Sequence, residues 1–299
     1  MHFIKIIKTI FILLILCNNS FARVVEERIE VPVLFQTTLH GKIEKKIVVS
    51  IFRDDSVAKA PFLLWHHGRG SGTDKYKVNW STPTLRTDMV GQGFVVIAPI
   101  GYGYTPGEID VENVWPEHCK PPYTGGVPSE CLCNNANYIE VGKNIAEQSK
   151  QVLNHVFNLN YNFIDKSKGI VAGQSRGGFG TIAVIAENIP NIKGGINFAG
   201  GLGGFPDKNP GKPCGPLAIQ KAFKSWGAKT KVPSLWLYSV NDNYWGEKFP
   251  KEWFSAYQEA GGKGRMISYP PYKSEGHFFG SQTNIWQSDF EKFIKEIGF

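Results

Sequence analysis

The segment Gly169-Ile-Val-Ala-Gly-Gln-Ser-Arg-Gly-Gly-Phe-Gly180 sets a serine, Ser175, between two glycines in the pattern G-x-S-x-G, with Gly173 and Gly177 as the flanking pair. An apolar run precedes the motif and a helix-compatible run follows it. That context predicts a tight strand-to-helix turn holding the hydroxyl clear of the sheet on a strained backbone. A serine hydroxyl is a weak nucleophile at neutral pH, so a base must take its proton and a third group must orient that base. The chain has seven histidines. His2, His40, His66, His67, His118 and His155 precede Ser175; His277 alone follows it. On turns of this kind the acid and then the histidine come after the nucleophile in the chain. His277, in the loop Ser274-Glu-Gly-His-Phe-Phe-Gly280, is therefore the candidate base.

Asp242 is the candidate acid, because Asn241-Asp-Asn-Tyr-Trp245 follows the apolar run Ser234-Leu-Trp-Leu-Tyr-Ser-Val240, where a carboxylate at a strand's C-terminal edge can reach an imidazole. The alternatives between Ser175 and His277 are Asp207, in a Gly/Pro-rich loop that suits a turn, and Glu187, Glu247, Glu252, Glu259 and Glu275. Negative charge on a tetrahedral intermediate calls for preorganised N–H donors. The main-chain N–H of Arg176 is one candidate, and that of Arg69, in the glycine-rich loop Leu64-Trp-His-His-Gly-Arg-Gly-Ser-Gly72, is the second. Tyr102, Tyr104, Trp115, Tyr244 and Trp245 are candidate walls of an aromatic substrate pocket.

These groups need a frame. Residues 24–35 and 43–53 read as two strands of a hairpin turning near His40-Gly41, followed by strands at Pro61 to His66 and Phe94 to Ile100 with a possible helix near 82–91 between them. Tyr138 to Phe157 has helical spacing of Ile145, Val152, Leu153 and Val156. Beyond it the order is a strand over Gly169 to Gly173, a helix over Gly177 to Glu187, strands over Gly195 to Ala199 and Ser234 to Val240, a helix over 248–260, a strand over Met266 to Tyr269 and a helix over 283–297. Strands alternating with helices imply a mostly parallel central sheet with helices on both faces. The one long irregular stretch, 101–136, is expected to form a cap-like insertion.

Composition fits a folded domain: 42% hydrophobic and 20% charged residues exclude a disordered chain. Lys5 and Lys8, the apolar run Ile10 to Cys17 and the exit Ser20-Phe21-Ala22 read as a secretory signal peptide over residues 1–22, too short to span a bilayer and leaving no stable membrane anchor once cleaved. The expected mature protein, residues 23–299, is a single exported domain, periplasmic or extracellular. Losing two lysines lowers the formal charge from +7 to +5. Those charges are scattered, which argues against nucleic acid as a partner. In an oxidising compartment Cys119, Cys131, Cys133 and Cys214 are expected to form two disulfides. A metal site from His118 and the first three cysteines is disfavoured by the lack of a C-x₂₋₄-C pair.

Taken in order, the His67-Gly68 loop, the G-x-S-x-G turn, the strand ending at Asp242 and the loop holding His277 resemble the α/β-hydrolase superfamily across nearly all of residues 45–299. The resemblance is strongest to secreted dienelactone hydrolase-like serine esterases. It implies a Ser-Asp-His triad, no cofactor, and a small-molecule or polymer-linked ester as substrate. Ser175 stands where true dienelactone hydrolases carry a cysteine. An exported serine hydrolase of carboxylic esters is the expected function; a peptidase or amidase, an acyltransferase, and a non-catalytic binding protein on the same fold are the alternatives.

Overall fold

A computed structural model describes residues 23–37, 41–69, 83–101, 104 and 137–299. The short apolar runs of the sequence become one eight-stranded sheet in the order β1-β2-β4-β3-β5-β6-β7-β8. Its strands are β1 (Val24–Thr37), β2 (Gly41–Asp54), β3 (Ala60–His66), β4 (Val95–Pro99), β5 (Ile164–Gln174), β6 (Ile192–Phe198), β7 (Ser234–Ser239) and β8 (Gly264–Tyr269). The helices are α1 (Pro83–Gly91), α2 (Tyr138–Asn158), α3 (Arg176–Ala186), α4 (Pro216–Gly227), α5 (Lys248–Glu259) and α6 (Thr283–Glu296), with a 3₁₀ turn over Gly276–Ser281. β1 and β2 form the expected antiparallel hairpin, and β2 is antiparallel to β4. From β4 to β8 every neighbouring pair is parallel.

The central strands are buried on both faces, which is why they read as continuous apolar runs rather than alternating ones. Phe62, Leu63 and Leu64 of β3 and Ile170, Val171 and Ala172 of β5 are all fully buried. α2 starts at Asn137, whose side chain accepts the Glu140 N–H at 3.2 Å, a cap worth about 1 kcal/mol. Its apolar stripe, Val141, Ile145, Val152 and Val156, packs inward with α3 and α4. α1 and α6 are joined by a hydrogen bond from the Thr283 hydroxyl to Asp88, and Phe94, between α1 and β4, meets Phe290 of α6 edge-on.

Several strands run a few residues beyond the sequence reading, β6 by three at its start, and two differences are larger. β5 begins five positions earlier than expected, at Ile164, because Asp165, Lys166, Ser167 and Lys168 continue the strand as a polar, partly exposed extension with a register irregularity where it pairs with β3. α4 was not foreseen. Lys221 and Lys224 on its exposed side belong to the lysine-rich run Lys221 to Lys231, yet Ile219, Ala222, Phe223 and Trp226 lie on one buried face and Pro216 occupies its first turn. Phe223 anchors that face, with ring centroids 4.7 Å from Trp236 and 5.3 Å from Phe179.

Of the expected insertion 101–136, the structure describes Gly101 and Tyr104; Trp115, Cys119, Cys131 and Cys133, like residues 1–22, lie outside the described residues. Cys214 is buried, and the cysteines it is expected to bond with lie outside the described residues, so the two expected disulfides are not placed. Among the described residues no helix is long and apolar enough to cross a membrane. The loops that leave β5, β7 and β8 at their C-terminal ends carry Ser175, Asp242 and His277. Parallel strands bring those ends to one rim of the sheet, where ligands bind in open α/β folds.

Candidate active site

Ser175 occupies the single residue between β5 and α3, with φ 57° and ψ −119°. A non-glycine residue at such angles costs on the order of 1–3 kcal/mol, so the surroundings must hold it. The Ser175 N–H donates to Phe198 O at 2.9 Å, while its carbonyl accepts the N–H groups of Phe179 (3.0 Å) and Gly201 (3.2 Å). The flanking glycines are a matter of space. A Cβ on Gly177 would stand 2.1 Å from His66 O, and one on Gly173 2.5 Å from the carbonyl carbon of Gly177.

His277 and Asp242 are both buried, and Nδ1 of the imidazole lies 2.9 Å from Asp242 Oδ2. The other carboxylate oxygen accepts the main-chain N–H groups of Tyr244 (2.8 Å) and Trp245 (3.2 Å), which fixes the carboxylate plane. A carboxylate accepts only, so Nδ1 carries a proton, and in the neutral tautomer this contact selects, the lone pair lies on Nε2. The main chain of His277 is held as well: Gln174 Nε2, next to the serine, donates to His277 O at 3.1 Å. Among the described residues no hydrogen bond joins the Ser175 hydroxyl to the imidazole. The competing carboxylates do not reach the ring. Glu275 instead accepts the His277 and Asn243 N–H groups on one oxygen, each at 3.0 Å.

The loop after β3 passes beside the serine: a Cβ on Gly68 would meet Ser175 Cβ at 3.5 Å, so Arg69 follows directly from that contact. His67 pins this loop. Its Nδ1–H donates to Gly68 O at 2.6 Å and its Nε2 accepts the Gly101 N–H at 3.0 Å, which ties the β3 loop to the chain leaving β4. Arg176 is buried with its guanidinium carbon 4.6 Å over the ring of Tyr104, which His67 also meets with ring centroids 4.8 Å apart. Behind them His66 bonds Ser149 Oγ at 2.7 Å. Burial, then the positive charge of Arg176 and the proximity of His67, push the His66 pKa down to about 3, so it is neutral.

Of the aromatic residues expected to wall a pocket, Tyr102 and Trp115 lie outside the described residues. Tyr104 and Trp245 are each 2% exposed and support the site from behind; Trp245 also donates from Nε1 to Ala199 O at 2.8 Å. Tyr244 is half-buried and lies flat against the His277 ring. Sequence reasoning missed the roles of Gln174, Glu275 and the His67 side chain. Their adjacency to Ser175, His277 and Gly68 was the available signal. Among the described residues no group of three His, Cys, Asp or Glu side chains is placed to hold a metal ion.

No protein-family model and no curated protein matches the sequence. Solved structures do match. An acetyl xylan esterase from Paenibacillus sp. R4 superposes with a TM-score of 0.54 at 14% identity over 92% of this chain and 89% of its own. A Klebsiella pneumoniae protein assigned as a dienelactone hydrolase gives 0.51 at 16% identity over 91% and 99%. The acylaminoacyl peptidase of Pyrococcus horikoshii gives 0.54 at 13% identity over 89% of this chain, which spans 41% of that longer protein. With the strand order, the turn at Ser175 and these likenesses in agreement, the chain has the α/β-hydrolase fold.

Proposed function

We propose that the protein is an exported serine hydrolase that cleaves carboxylic esters through an acyl-enzyme. The observation that carries this reading is the 2.9 Å contact of His277 Nδ1 with Asp242, on a loop whose main chain is bound by the residue before Ser175. In the reaction, Ser175 Oγ attacks the acyl carbon as His277 Nε2 takes its proton. The Arg69 and Arg176 N–H groups hold the oxyanion, and the leaving alcohol departs with the proton from Nε2. Water, deprotonated by the same nitrogen, then releases the acid and regenerates Ser175. Asp242 keeps the ring in the required tautomer throughout. The hydroxyl-to-imidazole bond closes when substrate fills the site, since such bonds tighten in the Michaelis complex. A small or polymer-linked ester is the substrate class, and the esterase among the similar structures supports it. Export rests on the leader-like residues 1–22.

A fluorophosphonate probe tests the nucleophile: labelling of the wild type and its loss in Ser175→Ala is the expected result, and labelling that persists elsewhere rejects the assignment. Parallel assays on short-chain esters, long-chain esters and peptide anilides test the substrate class. A peptidase is the second reading, favoured by the likeness to the acylaminoacyl peptidase, and preferential anilide cleavage would select it. A protein that neither labels nor turns over any of these is a binding module.

A further inference from the structure

Asp242 and His277 sit on separate loops, after β7 and after β8, and nothing in either loop's own hydrogen bonding fixes the gap between them. Cross-ties do. Gly276 N–H donates to Asn241 O at 3.1 Å, Tyr272 N–H to Asn241 Oδ1 at 2.9 Å, and Asn241 Nδ2 to Lys273 O at 3.1 Å. The loops are so close that a Cβ on Gly276 would stand 2.5 Å from Asn241 Oδ1. These ties reach residues before Asp242 on one side and before His277 on the other; past the acid, the Asn243 side chain adds one long bond from Nδ2 to Ser274 O, at 3.4 Å. Glu275 differs. Its Oε1 accepts the N–H of Asn243, the residue after the acid, and the N–H of His277 itself, each at 3.0 Å.

Resting on the triad reading above, we infer that Glu275 is a positioning residue that holds the acid loop and the base loop at the spacing the Asp242–His277 hydrogen bond requires. Two N–H groups converging on one oxygen fix both main chains against a common point. Without it Asn243 and His277 lose their shared anchor, and the imidazole gains freedom in the direction that separates it from the carboxylate. Both bonds go to main-chain N–H groups, so the effect is expected to fall on the chemical step. Because one oxygen takes both donors, the amide oxygen of glutamine can replace it, whereas alanine cannot. Aspartate keeps the charge but retracts the oxygen by one carbon–carbon bond.

The test compares the full-length wild type with Glu275→Gln, Glu275→Ala and Glu275→Asp, using p-nitrophenyl acetate turnover per folded molecule, with the folded fraction read by circular dichroism. Alanine and aspartate are expected to lower kcat at least tenfold with KM within about twofold, and to slow fluorophosphonate labelling of Ser175 in parallel. Glutamine is expected to stay within about threefold of wild type. Wild-type kcat per folded molecule in the alanine and aspartate variants overturns the inference. So does a glutamine variant as slow as alanine, since charge rather than N–H pairing would then be the cause. If alanine does not fold, the aspartate and glutamine pair decides alone. Failure of the triad reading itself is separate: it shows as a wild type whose Ser175 is never labelled.

Discussion

The ring of Tyr244 lies over the imidazole of His277, with centroids 3.9 Å apart and planes 23° from parallel. Trp245 and Phe278 meet the same imidazole edge-on at 5.4 Å each. In the proposed reaction His277 accepts a proton, and the new cation faces aromatic rings rather than water, so cation–π attraction of about 0.5–2 kcal/mol favours that state. Tyr244→Leu is expected to slow kcat roughly three- to tenfold, while Tyr244→Phe stays within about twofold. Steady-state rates on a short-chain ester check this.

The contact of His277 with Asp242 sets the tautomer. Asp242→Asn presents an amide that can donate to Nδ1, which moves the ring proton to Nε2 and removes the lone pair the serine needs. The expected loss is on the order of 10⁴ in kcat with the fold unchanged. Measured kcat and a circular dichroism spectrum together distinguish this from unfolding.

His66 predicts how stability varies with pH. Its pKa in the fold is pushed down to about 3, chiefly by burial, against 6.5 when unfolded. A histidine with a depressed folded value contributes stability that is present above pH 6.5 and is lost as pH falls toward 3. The slope of that loss is about 1.4 kcal/mol per pH unit. Urea midpoints measured from pH 7 to pH 4 should decline accordingly, and His66→Gln should flatten the decline while weakening the protein at neutral pH through its bond to Ser149.

The glycines around the elbow are expected to resist substitution because their neighbours are backbone. Gly177→Ala would press a methyl group against His66 O, and should destabilise by about 3 kcal/mol or more. Gly91, at the exposed end of α1, has nothing within 4 Å of an added Cβ and an unstrained φ. There Gly91→Ala should stabilise by roughly 0.5 kcal/mol. Chemical denaturation of the two variants separates a steric need for glycine from an incidental one.

Much of the parallel sheet was legible because buried strands need unbroken apolar runs, as in Pro61 to His66 and Ser234 to Ser239. The positions of Ser175, Asp242 and His277 were legible for a related reason: chain order and strand ends decide which loops share a rim. α4 escaped because lysines at its exposed positions drew attention from the Ile219, Ala222, Phe223, Trp226 stripe. The places of Tyr104, Tyr244 and Trp245 escaped because an aromatic side chain serves equally well as pocket wall, buried support or stacking partner. Nothing in residue type separates those; only the packing of Trp245 against Ala199 O and of Tyr244 against His277 does. Glu275 could be excluded as the acid by its nearness to His277, but its link to Asn243 spans two loops and has no signature along the chain.

The backbone of Ser175 draws its hydrogen bonds from Phe198 at the end of β6, from Gly201 just beyond it and from the first turn of α3. None of these belongs to the long stretch between β4 and α2. Among the described residues, the main chain of Ser175 is thus held from both sides, by the end of β6 and by the start of α3. A change elsewhere that leaves β6 and α3 in register therefore leaves the backbone of this turn where the sheet has put it.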